Sequence, residues 1–213
     1  MSIHQDDTDL ASLEKAQLIR IINQLRGDLS KQTDDFRKLT NLRLYNLERS
    51  QYMYQQYGRR ESFEISGIPE EITDDKLEDE VIEIMKDAKV QINRQPLRKA
   101  DISAVHRLGN KKTTIVRVVN RKYAREALFC GKNLKNSKRY GENKIFINNS
   151  FCPEFRFLNF VIRKALREKH IHRYKIRNGI TYVQKTEQSS FVEIGHVNDL
   201  ENLDIPIPER RSR

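Results

Sequence analysis

The stretch ESFEISGIPEEITDDKLEDEVIEIMKDAKV, residues 61–90, decides how the chain folds. Phe63 and Ile65 alternate with Ser62, Glu64 and Ser66, the two-residue period of a half-buried strand, and Gly67 and Pro69 stop it. The period then changes. Leu77, Val81, Ile84 and Met85 recur at helical spacing, with Thr73 in the capping position and Asp74 and Asp75 beside the positive end of the helix. A strand running straight into an amphipathic helix opens an α+β domain.

Toward the C-terminus the pattern predicts strands at 101–105 and 114–119 and a helix from Arg121 to about Leu134, with Tyr123, Ala124, Ala127 and Leu128 inward. A strand at 144–148 follows. The order β-α-β-β-α-β over residues 58–150 is the ferredoxin-like plan used by RNA-recognition-motif domains. It is a divergent version. Such domains stack bases on aromatics of the two central strands, whereas the third strand here reads TTIVRVV and the first turns Ser62, Glu64 and Ser66 outward. Loop and edge cations are therefore expected to carry more of any binding.

Residues 151–205 predict a small α+β domain: a helix over 154–169, a hairpin in RYKIRNGITYVQK, a third strand near 191–194 and a short helix near 197–203. Asn178 and Gly179 between two alternating runs signal a type I′ turn. PIPERRSR, residues 206–213, is polar and broken by prolines, and is expected to stay disordered. At the other end, residues 1–57 form an N-terminal segment of their own. From residue 9 onward it contains no proline and a single glycine, Gly27, and reads as one long helix. Leu18, Ile22, Leu25, Leu29, Phe36 and Leu39 follow the 4-3 spacing of a coiled-coil seam, with Gln32 as the one polar inner residue. Self-association as a dimer or trimer is the natural reading, and a single amphipathic helix folded back on the globular part is the alternative.

The net charge of +10 is unevenly spread: residues 1–57 carry 8 basic and 8 acidic side chains, residues 58–99 carry 8 and 11, and residues 100–213 carry 24 and 11. A one-sided excess on a folded region points to a polyanionic partner, most often nucleic acid; a solubility device is the plainer alternative. No apolar run approaches the roughly 20 residues of a membrane helix, and MSIHQDDTDL is acidic where a signal peptide would be basic. The expected location is intracellular, cytoplasmic or nuclear. Cys130 and Cys152, without metal-site spacing, read as small core residues.

Catalytic motifs are missing where they would be sought. LGNKKTT has one glycine, no Gly-Lys pair and a following strand, which excludes a P-loop. His106 has no nucleophile with suitable neighbours, and His170 with His172 gives too few ligands for zinc. The acidic residues of 74–83 read as a solvated helix face. No enzyme activity, metal or cofactor is expected. The basic residues do line up: Arg156, Phe160, Arg163 and Arg167 share one sector of their helix, and Arg173, Lys175, Arg177 and Tyr182 share one face of the hairpin. Phe160 and Tyr182 are candidates for stacking on unpaired bases, with ordinary packing as the alternative for each.

RRESFEISGIPEE, DISAVHRLGNKK and a basic C-terminal domain behind a coiled coil resemble the first-open-reading-frame proteins of LINE-type retrotransposons. KIFINNS and FVIRKALREKHIHRYKIRNGITYVQK are a better match to the few-polyhedra protein family of baculoviruses and related insect viruses, and the short coiled coil favours this viral branch. The first resemblance implies a trimeric nucleic-acid-binding protein with chaperone-like activity, in which Arg107, Arg59 and Arg60 contact RNA. The second implies a morphogenesis factor associated with virions, whose basic half meets nucleocapsids or other structural proteins. Together these readings predict a non-enzymatic protein that binds single-stranded RNA or DNA with little sequence preference, RNA being the expected form. Arg59, Arg60, Arg107, Lys111, Lys112 and Arg117 are expected to line one interdomain cleft with Arg163, Arg167, Arg173, Lys175 and Arg177.

Overall fold

The computed structural model describes residues 3–109, 112–141 and 143–209, and the chain forms two compact units, Met1–Glu48 and Arg49–Arg213. Helix α1, Ile3–Tyr57, has 55 residues and is about 80 Å long at the standard rise. In the first unit Leu18, Ile22, Leu25, Leu29, Phe36 and Leu39 are all exposed, so the predicted seam is bare on a single chain. Among the described residues no helix is long and apolar enough to cross a membrane.

The second unit begins inside α1, earlier than the boundary expected at residue 57. Packing is the reason: Tyr52 and Met53 lie against Phe151, Cys152, Phe155 and Ile180. Then come β1 (Ser62–Ser66), α2 (Asp74–Asp87), the two-residue strands β2 (Gln91–Ile92) and β3 (Gln95–Pro96), β4 (Ile102–Arg107), β5 (Thr113–Val118), α3 (Arg121–Cys130) and β6 (Phe146–Asn149). The larger strands form an antiparallel sheet in the order β4-β5-β1-β6. Phe63, Ile65, Val116 and Val118 bury one face of it against Leu77, Val81, Ile84 and Met85 of α2 and Tyr123, Ala124 and Ala127 of α3. With both helices on that face, the row Ser62, Glu64 and Ser66 turns outward.

Three local details differ from expectation. Thr73 holds the N-cap position but makes no side-chain cap bond; its hydroxyl bonds the Asp75 carboxylate instead, and that bond is the main cause of the low Asp75 pKa. Helix α3 stops at Cys130, and Gly131–Asn136 continues as a 3-10 turn. The β2/β3 hairpin was not foreseen, because Asn93 and Arg94 take positive φ (50° and 64°) without a glycine.

The rest of the unit comprises α4 (Pro153–Arg167), β7 (Arg173–Arg177), β8 (Ile180–Gln184), β9 (Val192–Ile194) and α5 (Val197–Glu201). The hairpin is as read from the sequence: Asn178 and Gly179 have φ of 53° and 75°, and Arg177 pairs with Ile180 and Lys175 with Tyr182. Leu158, Val161, Ile162 and Ala165 pack on Val183, Ile194, Leu200 and Ile205, and Ile207 joins them. The start of the tail expected to be disordered is therefore anchored by an apolar side chain; residues 210–213 lie outside the described residues.

Candidate nucleic-acid interface

The cations sort by what they touch. Arg139 meets the acidic helix α2 at Glu80 (3.0 Å), Glu83 (3.8 Å) and Asp87 (2.7 Å), and Lys99 pairs with Asp79. The Tyr140 hydroxyl also donates to Glu80; burial, then that bond, push its pKa far above the ordinary range. The α2 face is thus partly an internal counter-ion, not only a solvated surface.

Arg107 is likewise committed inward. Its side chain is 9% exposed, and its guanidinium donates to the carbonyls of Ile68 (3.3 Å), Pro69 (2.6 Å) and Ile72 (2.9 Å). Arg107, expected to contact RNA, braces the β1–α2 loop in this structure. The physical reason is position: β4 ends at Arg107, beside three loop carbonyls that a five-donor fork can reach together. Tyr182, for which stacking and ordinary packing were the two readings, is half-buried against the cluster that includes Tyr52 and Met53 and donates to Glu193 at 3.1 Å. Arg173 and Lys175 are exposed and sit over the Phe191 ring, at 5.2 and 3.8 Å from its centroid. Arg117 is exposed and lies 3.4 Å from Glu61, Lys112 is exposed beside the β4–β5 turn, and Lys111 lies outside the described residues.

Of the cations expected to share one cleft, Arg59, Arg60 and Arg177 line a first cleft and Arg163 and Arg167 a second, while Arg107, Lys112, Arg117, Arg173 and Lys175 line neither. The first, about 730 Å³, is lined among the described residues by six cations, Arg59, Arg60, Arg121, Lys122, Arg125 and Arg177, and by no carboxylate. Its floor is built by Gln56, 1% exposed, whose amide donates to the Ser150 carbonyl (3.1 Å) and accepts from the Cys152 N–H (3.0 Å). Arg59 donates to Ser150 Oγ at 3.3 Å. Arg60 lies 4.2 Å over the Tyr57 ring, its Nε buried without a partner among the described residues. Phe129 adds an aromatic to the rim; its ring is 64% exposed and carries Lys132 Nζ at 4.2 Å.

Arg121, Lys122 and Arg125 were missed by sequence reasoning. The signal was present in RKYAREALF: with Tyr123, Ala124 and Ala127 inward, 100° per residue places Arg121, Arg125 and Phe129 in one outward sector. A second signal is electrostatic. Asn120 caps α3 through the Lys122 N–H at 3.0 Å, yet the first turn holds cations and no acid, against the helix dipole. Such a local conflict is tolerated where an anion is to be bound.

The second cleft, about 750 Å³, gathers the predicted α4 stripe of Arg156, Phe160, Arg163 and Arg167 opposite Glu64 and Asn148 of the outward sheet face. Arg156 bonds Glu64 at 2.8 Å, and Asn149 lines both clefts. No protein-family model and no curated protein matches this chain.

Proposed function

We propose that this chain is a non-enzymatic protein that binds single-stranded nucleic acid, with RNA the expected form, and self-associates through the exposed seam of α1. The observation that carries the reading is the first cleft: among the described residues that line it, six cations without a carboxylate, around an exposed Phe129. Cations that close together repel one another unless a polyanion neutralises them, and an exposed ring beside a phosphate track accommodates any unpaired base. The sheet order β4-β5-β1-β6 with two helices on one face supports a divergent RNA-recognition-motif fold, and with it the likeness to the retrotransposon and few-polyhedra proteins. A nucleic-acid chaperone role and a place in virus assembly, inside the cell or in virions, are extensions of that likeness.

Fluorescence anisotropy with a labelled 20-nucleotide single strand, over a range of salt, tests the proposal. Replacing Arg121 and Arg125 together by Ala should weaken binding about tenfold or more and flatten the log-log salt slope by about 0.7 for each phosphate no longer neutralised. An unchanged slope would remove the cleft from the binding surface.

A further inference from the structure

The second cleft differs from the first in holding a carboxylate. Glu64 stands on the outward face of β1, in register with Ile115 of β5 and Asn148 of β6. Its side chain is only 12% exposed. Oε1 accepts from Arg156 Nη2 at 2.8 Å and from Ser150 Oγ at 3.3 Å, whereas Oε2 has no partner among the described residues. A surface made only to hold phosphates gains nothing from a carboxylate, which repels them. A nearly buried acceptor with one open oxygen calls instead for a donor from the ligand.

The neighbouring groups narrow the choice of donor. Phe160 is exposed on α4 in the same cleft, and Arg163 and Arg167 follow it along the helix with no partner among the described residues. That combination suits a nucleotide: a ring to stack on, and cations for the flanking phosphates. Among the four bases, guanine alone presents two adjacent donors, N1–H and the 2-amino group, beside an acceptor, O6. The donors match the open side of Glu64, and O6 matches the remaining N–H groups of Arg156. Adenine and cytosine would set a ring-nitrogen lone pair against the carboxylate, and uracil offers one donor between two acceptors.

We propose that the cleft between the outward sheet face and α4 selects an unpaired guanine, with Glu64 reading its donor edge, Phe160 stacking on it, and Arg163 and Arg167 holding the adjacent phosphates. This rests on the reading of the chain as a single-stranded nucleic-acid binder, and adds one base-specific contact to an otherwise sequence-tolerant track.

The test is anisotropy of the full chain with labelled uridine decamers carrying one central guanosine, inosine or adenosine, against the all-uridine strand. The guanosine strand should bind about tenfold tighter than the all-uridine one. Inosine, which keeps N1–H and O6 but lacks the 2-amino group, should lose most of that gain. Glu64→Gln should reduce the preference to about twofold, with a urea midpoint like the parent's reporting that the variant is folded. Equal binding of all four strands, or a preference that survives in E64Q, overturns the inference and leaves the nucleic-acid reading standing. No binding to any strand overturns both.

Discussion

At the residue scale, Arg107 and Gly67 are where side-chain chemistry and backbone geometry decide most. Three carbonyls of the β1–α2 loop share the Arg107 guanidinium. Arg107→Ala should therefore cost about 2–3 kcal/mol in urea unfolding and leave the salt slope of binding unchanged. A variant of full stability but weak binding would return Arg107 to the interface. Gly67 has φ of 99°, and a Cβ there would lie 2.2 Å from the Lys144 carbonyl oxygen. Gly67→Ala should lower stability by more than the about 1–2 kcal/mol of left-handed strain alone, because backbone must also move; a melting temperature within a degree of the parent would contradict this. The sequence marks Gly67 as a strand terminator, but the close approach comes from a segment 77 positions away and cannot be read locally. The same holds for Arg107: the HR pair is visible, while the carbonyls it braces belong to a loop 35 to 39 residues earlier.

At the scale of elements, the last turns of α1 are clamped to the rest of the second unit at two points. Gln56 bonds the backbone at Ser150 and Cys152, and Arg49 meets Glu193 at 2.9 Å and Asp199 at 3.4 Å. Asp199 Oδ2 also accepts the N–H groups of Gly195 (2.8 Å) and His196 (2.9 Å) ahead of α5. Gln56→Leu leaves a buried carbonyl and a buried N–H unpaired and should cost about 2–4 kcal/mol, read as a lower urea midpoint at an unchanged slope. It should also disturb the first cleft, whose floor it forms. A variant as stable as the parent would show that the clamp is dispensable. The type of the longer elements was legible, because periods of 2 and 3.6 change cleanly at Gly67 and Pro153 and the Asn178-Gly179 turn divides two period-2 runs. What was not legible is that α1 continues into the globular unit: Tyr52, Met53 and Gln56 find their partners about a hundred residues on.

At the scale of the whole molecule, the two units divide the work proposed for the chain. If the bare seam of α1 joins copies, Leu25→Glu with Leu29→Glu should yield a monomer by sedimentation equilibrium. Affinity for a long single strand should fall about 100-fold or more while binding of a decamer is kept, since linked sites gain from effective concentration only on a strand that spans them. Equal weakening on both lengths would place the helix in direct contact with the strand instead. By itself the sequence determined the helix, the alternation of strands and helices, the hairpin register and the one-sided charge, all of which depend on neighbours within a few positions. Only the tertiary structure decided which cations are free. Arg139, Lys99 and Arg107 are drawn to acids and carbonyls that the fold brings near, while Arg121 and Lys122, set against their own helix dipole, and Arg125 meet Arg59, Arg60 and Arg177 in a cleft with no carboxylate among the described residues that line it. The reason is range: a charge is read from one residue, but its partner is set by distances across the folded chain.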